Sequence, residues 1–160
     1  MSKTKNLTYL QQIRRLRKLA EKALLNYPIK FKKLIFINHG ENTTYKAIAK
    51  NNKAYLLRIH RNDYHTLPAL NEELKWIKKL NQKSDLMIQK PILSKNGKLV
   101  TTVSTDKIGA RPCSLLTWTQ GPMKHSRHTI GSFQKVGELI ALLHKPVSYT
   151  HLTLPTILLV

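Results

Sequence analysis

Residues 38–61 read NHGENTTYKAIAKNNKAYLLRIHR. This is a β-hairpin with a polar, glycine-bearing turn ahead of it. In the leading turn, residues 39–45, Gly40 is free to take φ > 0 and let backbone N–H groups approach an anion. Asn42, Thr43 and Thr44 add short side-chain donors there. Strands over residues 45–50 and 54–60 flank Asn51-Asn52, and Asn tolerates the left-handed conformation of a hairpin turn. On the second strand, alternation puts Leu56, Arg58 and His60 on one face and Tyr55, Leu57 and Ile59 on the other. Arg58 is therefore a cation between apolar neighbours in mid-strand, and a half-buried cation calls for an anionic partner.

Acidic residues are scarce enough to narrow the search for that partner. The sequence has 8 Asp+Glu against 28 Lys+Arg. Glu72 and Glu73 are the one adjacent acidic pair, and they sit in a helix pattern with Leu70, Leu74, Ile77 and Leu80 as its apolar stripe and Trp76 beside it. Thr66 or Asn71 caps this helix and Pro68 suits its first turn. One of the two glutamates is the natural partner of Arg58; otherwise both complement the helix dipole.

Upstream, residues 7–25 form a basic amphipathic helix. Leu10, Ile13, Leu16, Leu19 or Ala20, and Ala23 or Leu24 recur at helical steps, and Arg14, Arg15, Arg17, Lys18 and Lys22 share the other face. Pro28 ends the pattern. Its bland reading is a helix packed on the domain with a wet basic face. Its functional reading is nucleic-acid or membrane-surface binding. A short strand follows at residues 33–37. Downstream, residues 90–103 read as a hairpin around Asn96-Gly97, the strongest short turn signal in the chain. Residues 106–112 read as a polar connection, residues 114–118 as a buried strand stopped by Gly121-Pro122, and residues 129–144 as a helix.

Composition sets outer bounds. A chain of 160 residues with 41% hydrophobic residues holds one domain or one large lobe with a real core. The net charge of +20 promises attraction to polyanions or phosphates. The single cysteine, Cys113, excludes an internal disulfide framework and fits a reducing, cytoplasmic setting. No apolar run approaches the roughly 20 residues of a membrane span.

Six stretches in this order, HGENTTYKAI, AYLLRIHR, EELKWIKKL, a Pro-Ile strand with NGKLV, CSLLTWTQG and GELIALLHK, carry a family resemblance. From about residue 7 to 145 the chain resembles the N-terminal part of the aminoglycoside phosphotransferase/choline kinase/homoserine kinase superfamily. The resemblance implies an α+β fold: a protein-kinase-like N-lobe, an antiparallel sheet with flanking helices, plus the first helix of a truncated C-lobe. It divides the chain into a basic N-terminal helix (1–30), the N-lobe (31–121), the start of the C-lobe (122–145) and a tail (146–160).

The resemblance also implies roles. Gly40 and Asn42 or Thr43 would lie near the phosphates of ATP. Arg58 would stand where protein kinases keep the lysine that holds the α- and β-phosphates, and Glu73, or next Glu72, would orient it. Leu56 would pack on the adenine, and Leu116, Thr117 and Trp118 would form the hinge that offers backbone groups to its edge. His144 would be a packing residue. The partners implied are a nucleotide and, in the full-length protein, a small-molecule acceptor, with magnesium expected only there. The family's H-G-D-x-x-x-x-N-like catalytic loop and the following magnesium-binding Asp do not occur in these residues, so no catalytic or metal-binding residue is assigned. The expected function is the ATP-binding lobe of a small-molecule kinase, inactive as it stands. The alternatives are a basic nucleic-acid-binding module or a pseudokinase-like scaffold.

The tail has no Lys or Arg, although it follows a chain dense in both. Its SYTHLTLPT run, residues 148–156, resembles translated sequencing-adaptor read-through. The expectation is that the native coding sequence departs from this chain near His144 or Lys145; the competing reading is a natural C-terminal strand.

Overall fold

The computed structural model describes residues 8–62, 64–83, 86–121 and 130–144. The expected tail, residues 146–160, and the first residues of the expected C-lobe start, 122–129, lie outside them. Three helices and six strands follow in the order α1 (Tyr9–Leu24), β1 (Phe31–His39), β2 (Asn42–Ala49), β3 (Ala54–His60), α2 (Leu67–Lys83), β4 (Pro91–Ile92), β5 (Val100–Thr105), β6 (Ile108–Thr117) and α3 (Ile130–His144). The strands make one antiparallel sheet in which β1, β2, β3 and β6 are successive neighbours, and β4 and β5 both pair with β6.

The sheet is apolar on both faces, and each face has its own helix. Alternation turns Leu57 and Ile59 of β3, Tyr45 and Ala47 of β2, and Cys113 and Leu115 of β6 toward one side. There they join Leu16, Leu19, Ala20, Ala23 and Leu24 of α1 in the main core. Leu116 of β6 and Val100 of β5 face the other side and pack on Leu70 and Leu74 of α2. Fully burying each of these leucines contributes about 1.5–3 kcal/mol. α1 thus packs on the domain, as its bland reading required. It starts from a capping box in which the Thr8 side chain accepts from the Gln11 N–H and the Gln11 side chain from the Thr8 N–H. The stripe is displaced toward the C-terminal end: Leu10 is exposed, whereas Leu16, Leu19, Ala20, Ala23 and Leu24 are buried. Thr66, not Asn71, caps α2, accepting from the Ala69 N–H at 3.3 Å.

Three local expectations need correction. The β2–β3 connection is a three-residue loop rather than a two-residue Asn51-Asn52 turn. The Asn52 N–H returns to the Ala49 carbonyl, the Ala49 N–H reaches the Lys53 carbonyl, and Asn52 takes φ 64°. The same pattern recurs at residues 94–98, where Gly97 has φ 70°. This is a type I turn closed by a left-handed residue. Second, the Asn96-Gly97 turn does not join a paired hairpin. β4 and β5 are both antiparallel to β6, so they run in the same direction, one after the other along its edge. They are one edge strand interrupted by the turn. Third, residues 106–112 are not a loose connection. β6 begins at Ile108 and pairs with β5 directly after a tight turn. Pro112 is tolerated because the β3 ladder ends at Ile59↔Cys113, leaving Pro112 beyond it.

Candidate functional site

The face of the sheet turned toward α2 gathers most of the expected site residues. The β2–β3 register sets Thr44 opposite Arg58, Asn42 opposite His60 and Lys46 opposite Leu56. The alternative between Glu72 and Glu73 resolves cleanly. The Arg58 guanidinium donates through Nη1 to Glu73 Oε1 at 2.8 Å. Glu72 instead accepts from Lys75 Nζ, one turn along the exposed side of the helix. Helical phase explains the choice: Glu73 neighbours Leu70 and Leu74, which bury α2 on the sheet, whereas Glu72 points away. The Arg58 side chain is 20% exposed. It is therefore partly desolvated, held by one carboxylate, and left with guanidinium donors to spare.

Below this pair lies a buried polar contact that sequence patterning alone does not single out. His60 is 2% exposed, and its Nε2 lies 2.9 Å from Ser114 Oγ. Burial, and then the Arg58 charge, push its pKa down to about 4, so the ring is neutral at pH 7. The one usable signal is the alternation that sets His60 two residues past Arg58. Across the face, Lys46 Nζ sits 4.4 Å from the centre of the Trp118 ring, a cation–π contact that brings Trp118 to this side.

Other expected residues fall elsewhere. Gly40 does not use φ > 0, and its N–H is spent on the Asn42 carbonyl at 3.1 Å. The turn is tight because Asn42 already belongs to β2. A Cβ at Gly40 would meet only Asn38 Nδ2, at 3.9 Å. The Thr43 hydroxyl lies 2.8 Å from His39 Nδ1, on the α1 side of the sheet. Of the pair Asn42 or Thr43, only Asn42 therefore shares the Arg58 face. Leu56 does share it. Leu116 is fully buried under α2, and its backbone lies between Leu56 and Pro91 in the sheet. The Thr117 N–H donates to the Lys90 carbonyl at 2.9 Å and the Trp118 N–H to the Ala54 carbonyl at 3.2 Å. The expected hinge donors at Leu116, Thr117 and Trp118 are thus engaged by the sheet. The first backbone beyond the ladder, Thr119 and Gln120, makes no hydrogen bond among the described residues.

The donor set suits a nucleotide better than a metal. A guanidinium with free N–H groups, beside Asn42 and Thr44, matches phosphate oxygens. Among the described residues no three His, Cys, Asp or Glu side chains come together as a metal site, and no helix is long and apolar enough to cross a membrane.

The sequence matches no family model and no curated protein. The fold does match solved structures. It is similar to the microcompartment-associated aminopropanol kinase, with a TM-score of 0.67 and 28% identity over 80% of this chain and 39% of that one. It is also similar to the amicoumacin kinase hAmiN, solved in complex with AMP-PNP, Ca2+ and Ami, with a TM-score of 0.69 and 22% identity over 92% of this chain and 45% of that one. Both are aminoglycoside phosphotransferase-like kinases, and this fold matches the N-lobe of that protein-kinase-like architecture. The chain spans less than half the length of either kinase.

Proposed function

We propose that these residues are the ATP-side lobe of a small-molecule kinase, which transfers the γ-phosphate of ATP to a hydroxyl of its acceptor. The observation that carries this reading is the 2.8 Å Arg58–Glu73 ion pair. It joins the third strand of a kinase-like sheet to the helix packed over it, where a cation can hold phosphates while a carboxylate fixes its direction. Asn42 and Thr44 flank Arg58 on the nucleotide side, Leu56 offers the adenine an apolar wall, and Thr119 and Gln120 supply the backbone groups for its edge. Arg58 replaces a lysine, keeping the charge and adding a bidentate fork.

The base, the magnesium ligands and most of the acceptor site belong, on this reading, to a second lobe. One feature supports that. α3 leaves Ile130, Val136, Leu139, Ile140 and Leu142 exposed, an apolar surface of the kind that a larger core covers. By itself, the ATP-side lobe would then bind nucleotide weakly and transfer nothing. The buried free thiol of Cys113 fits a cytoplasmic enzyme.

Reading the locus past residue 145 tests this assignment, followed by an ATP-turnover assay of the complete product. The expected continuation holds an H-G-D-x-x-x-x-N-like loop and a later Asp. A complete, active phosphotransferase without them contradicts the division of labour.

A further inference from the structure

On the α1 side of the sheet lies a cavity of about 590 Å³, whose lining also takes in His60 at the end of β3. It opens where the first turns of α1, the β1–β2 tip and the start of β6 converge, and its floor includes Thr43 and Ile59. Its volume lies in the range of small-molecule pockets, about 300–1,000 Å³. Four cations line it, Arg15, Arg61, Lys107 and Arg111, against one carboxylate, Glu41. Glu41 already accepts from the Tyr64 hydroxyl at 2.9 Å. Asp106 is exposed on the turn beside Lys107. None of the four cations makes an ion pair or side-chain hydrogen bond among the described residues, whereas Arg17, Arg58 and Lys75 each have a carboxylate. Arg111 Nε is buried with no acceptor. A guanidinium N–H that has lost water and gained nothing is uncommon in a folded protein and points to an absent partner.

We infer that this cavity is a second anion site, separate from the nucleotide face, that takes a small molecule bearing at least two phosphate groups. Three guanidinium forks match phosphate oxygens in pairs. Four cations against one carboxylate leave a surplus of three charges, more than the roughly two that a single phosphate carries, so a ligand with two phosphates matches the set better. The site also reports to the nucleotide loop. His39, Gly40 and Glu41 line the cavity, and they form the tip that leads directly into Asn42. An occupant therefore bears on the position of Asn42 and Thr44 across the sheet.

Inorganic pyrophosphate is the probe. It is titrated into the whole chain at about 0.15 M salt, where exposed charges are screened beyond about 8 Å, with amide shifts followed by NMR. The expected result is saturable change at Arg15, residues 39–41 and residues 107–111. A Lys107→Gln/Arg61→Gln variant, both sites exposed, is expected to bind at least about tenfold more weakly, the scale of one charge-assisted hydrogen bond. Arg58→Ala is expected to leave the pyrophosphate shifts at Arg15 and residues 107–111 unchanged while weakening ATP binding, which separates this site from the nucleotide reading. Non-saturating shifts spread over the lysine-rich surface overturn the proposal. So does equal affinity for orthophosphate, which removes the need for two phosphates. Duplex DNA that binds more tightly and tracks Arg14, Arg17 and Lys18 rather than the cavity also overturns it, in favour of a nucleic-acid surface.

Discussion

Arg58 and His60 stand two residues apart on one strand and answer burial in opposite ways. Arg58 cannot lose its charge, so it takes a carboxylate partner. His60 loses its charge instead, because burial and the neighbouring Arg58 hold its pKa down to about 4 from 6.5. The pH dependence follows in sign. As pH falls below about 6.5, the unfolded chain takes up a proton at His60 while the folded chain stays neutral, so stability drops between pH 6.5 and 4. By pH 5 the loss is roughly 2 kcal/mol. His60→Gln is expected to remove most of that slope, read as urea midpoints at pH 7 and pH 5. An unchanged slope in the variant means that His60 is not the titrating group. Cys113 behaves as its burial dictates: the thiol is pushed up to about 12, so it stays protonated and unreactive toward thiol reagents until the sheet opens.

At the scale of elements, the two repeated loops show what local sequence controls. Asn52 and Gly97 occupy equivalent left-handed positions. A side chain costs about 1 kcal/mol there. Gly97→Ala is therefore expected to destabilise by about that amount, and Asn52→Gly to be neutral or slightly stabilising. Gly40→Ala is expected to stay within about 0.5 kcal/mol, since neither φ nor space requires glycine there. Chemical denaturation of the three variants orders them directly. These turns are legible in the sequence because Asn and Gly act through their own backbone. The pairing of their flanks is not. Residues 90–103 carry a hairpin's local signals, yet both flanks pair with β6 rather than with each other, and that long-range choice has no local mark. The Arg58–Glu73 contact is legible, because a mid-strand cation needs an anion and the chain offers few. The hinge is not, because nothing in CSLLTWTQG marks where the ladder releases the backbone, and Thr117 and Trp118 are still held by it. Thr43 departs from its expected place because alternation along β2 gives it the side of Tyr45 and Ala47, toward α1, where its hydroxyl meets His39 Nδ1.

For the whole molecule, charge and apolar exposure oppose one another. A net charge of +20 keeps copies apart at low salt, while the exposed apolar residues of α3 favour association. Raising salt to about 0.5 M screens the first and leaves the second, so self-association is expected to increase, and Val136→Lys/Ile140→Lys is expected to suppress it in sedimentation experiments. Association unaffected by the variant places the adhesive surface elsewhere.

The α2-facing side of the sheet is, on the proposed reading, the nucleotide side, with Arg58 at its centre, and an ATP titration followed residue by residue by NMR addresses that claim most directly. Shifts are predicted at residues 42–44, at Leu56 and Arg58, and at residues 119–121, with most of them lost in Arg58→Ala while the spectrum stays that of a folded chain. Shifts confined to α1 and the opposite face, or a response that Arg58→Ala leaves intact, contradict it.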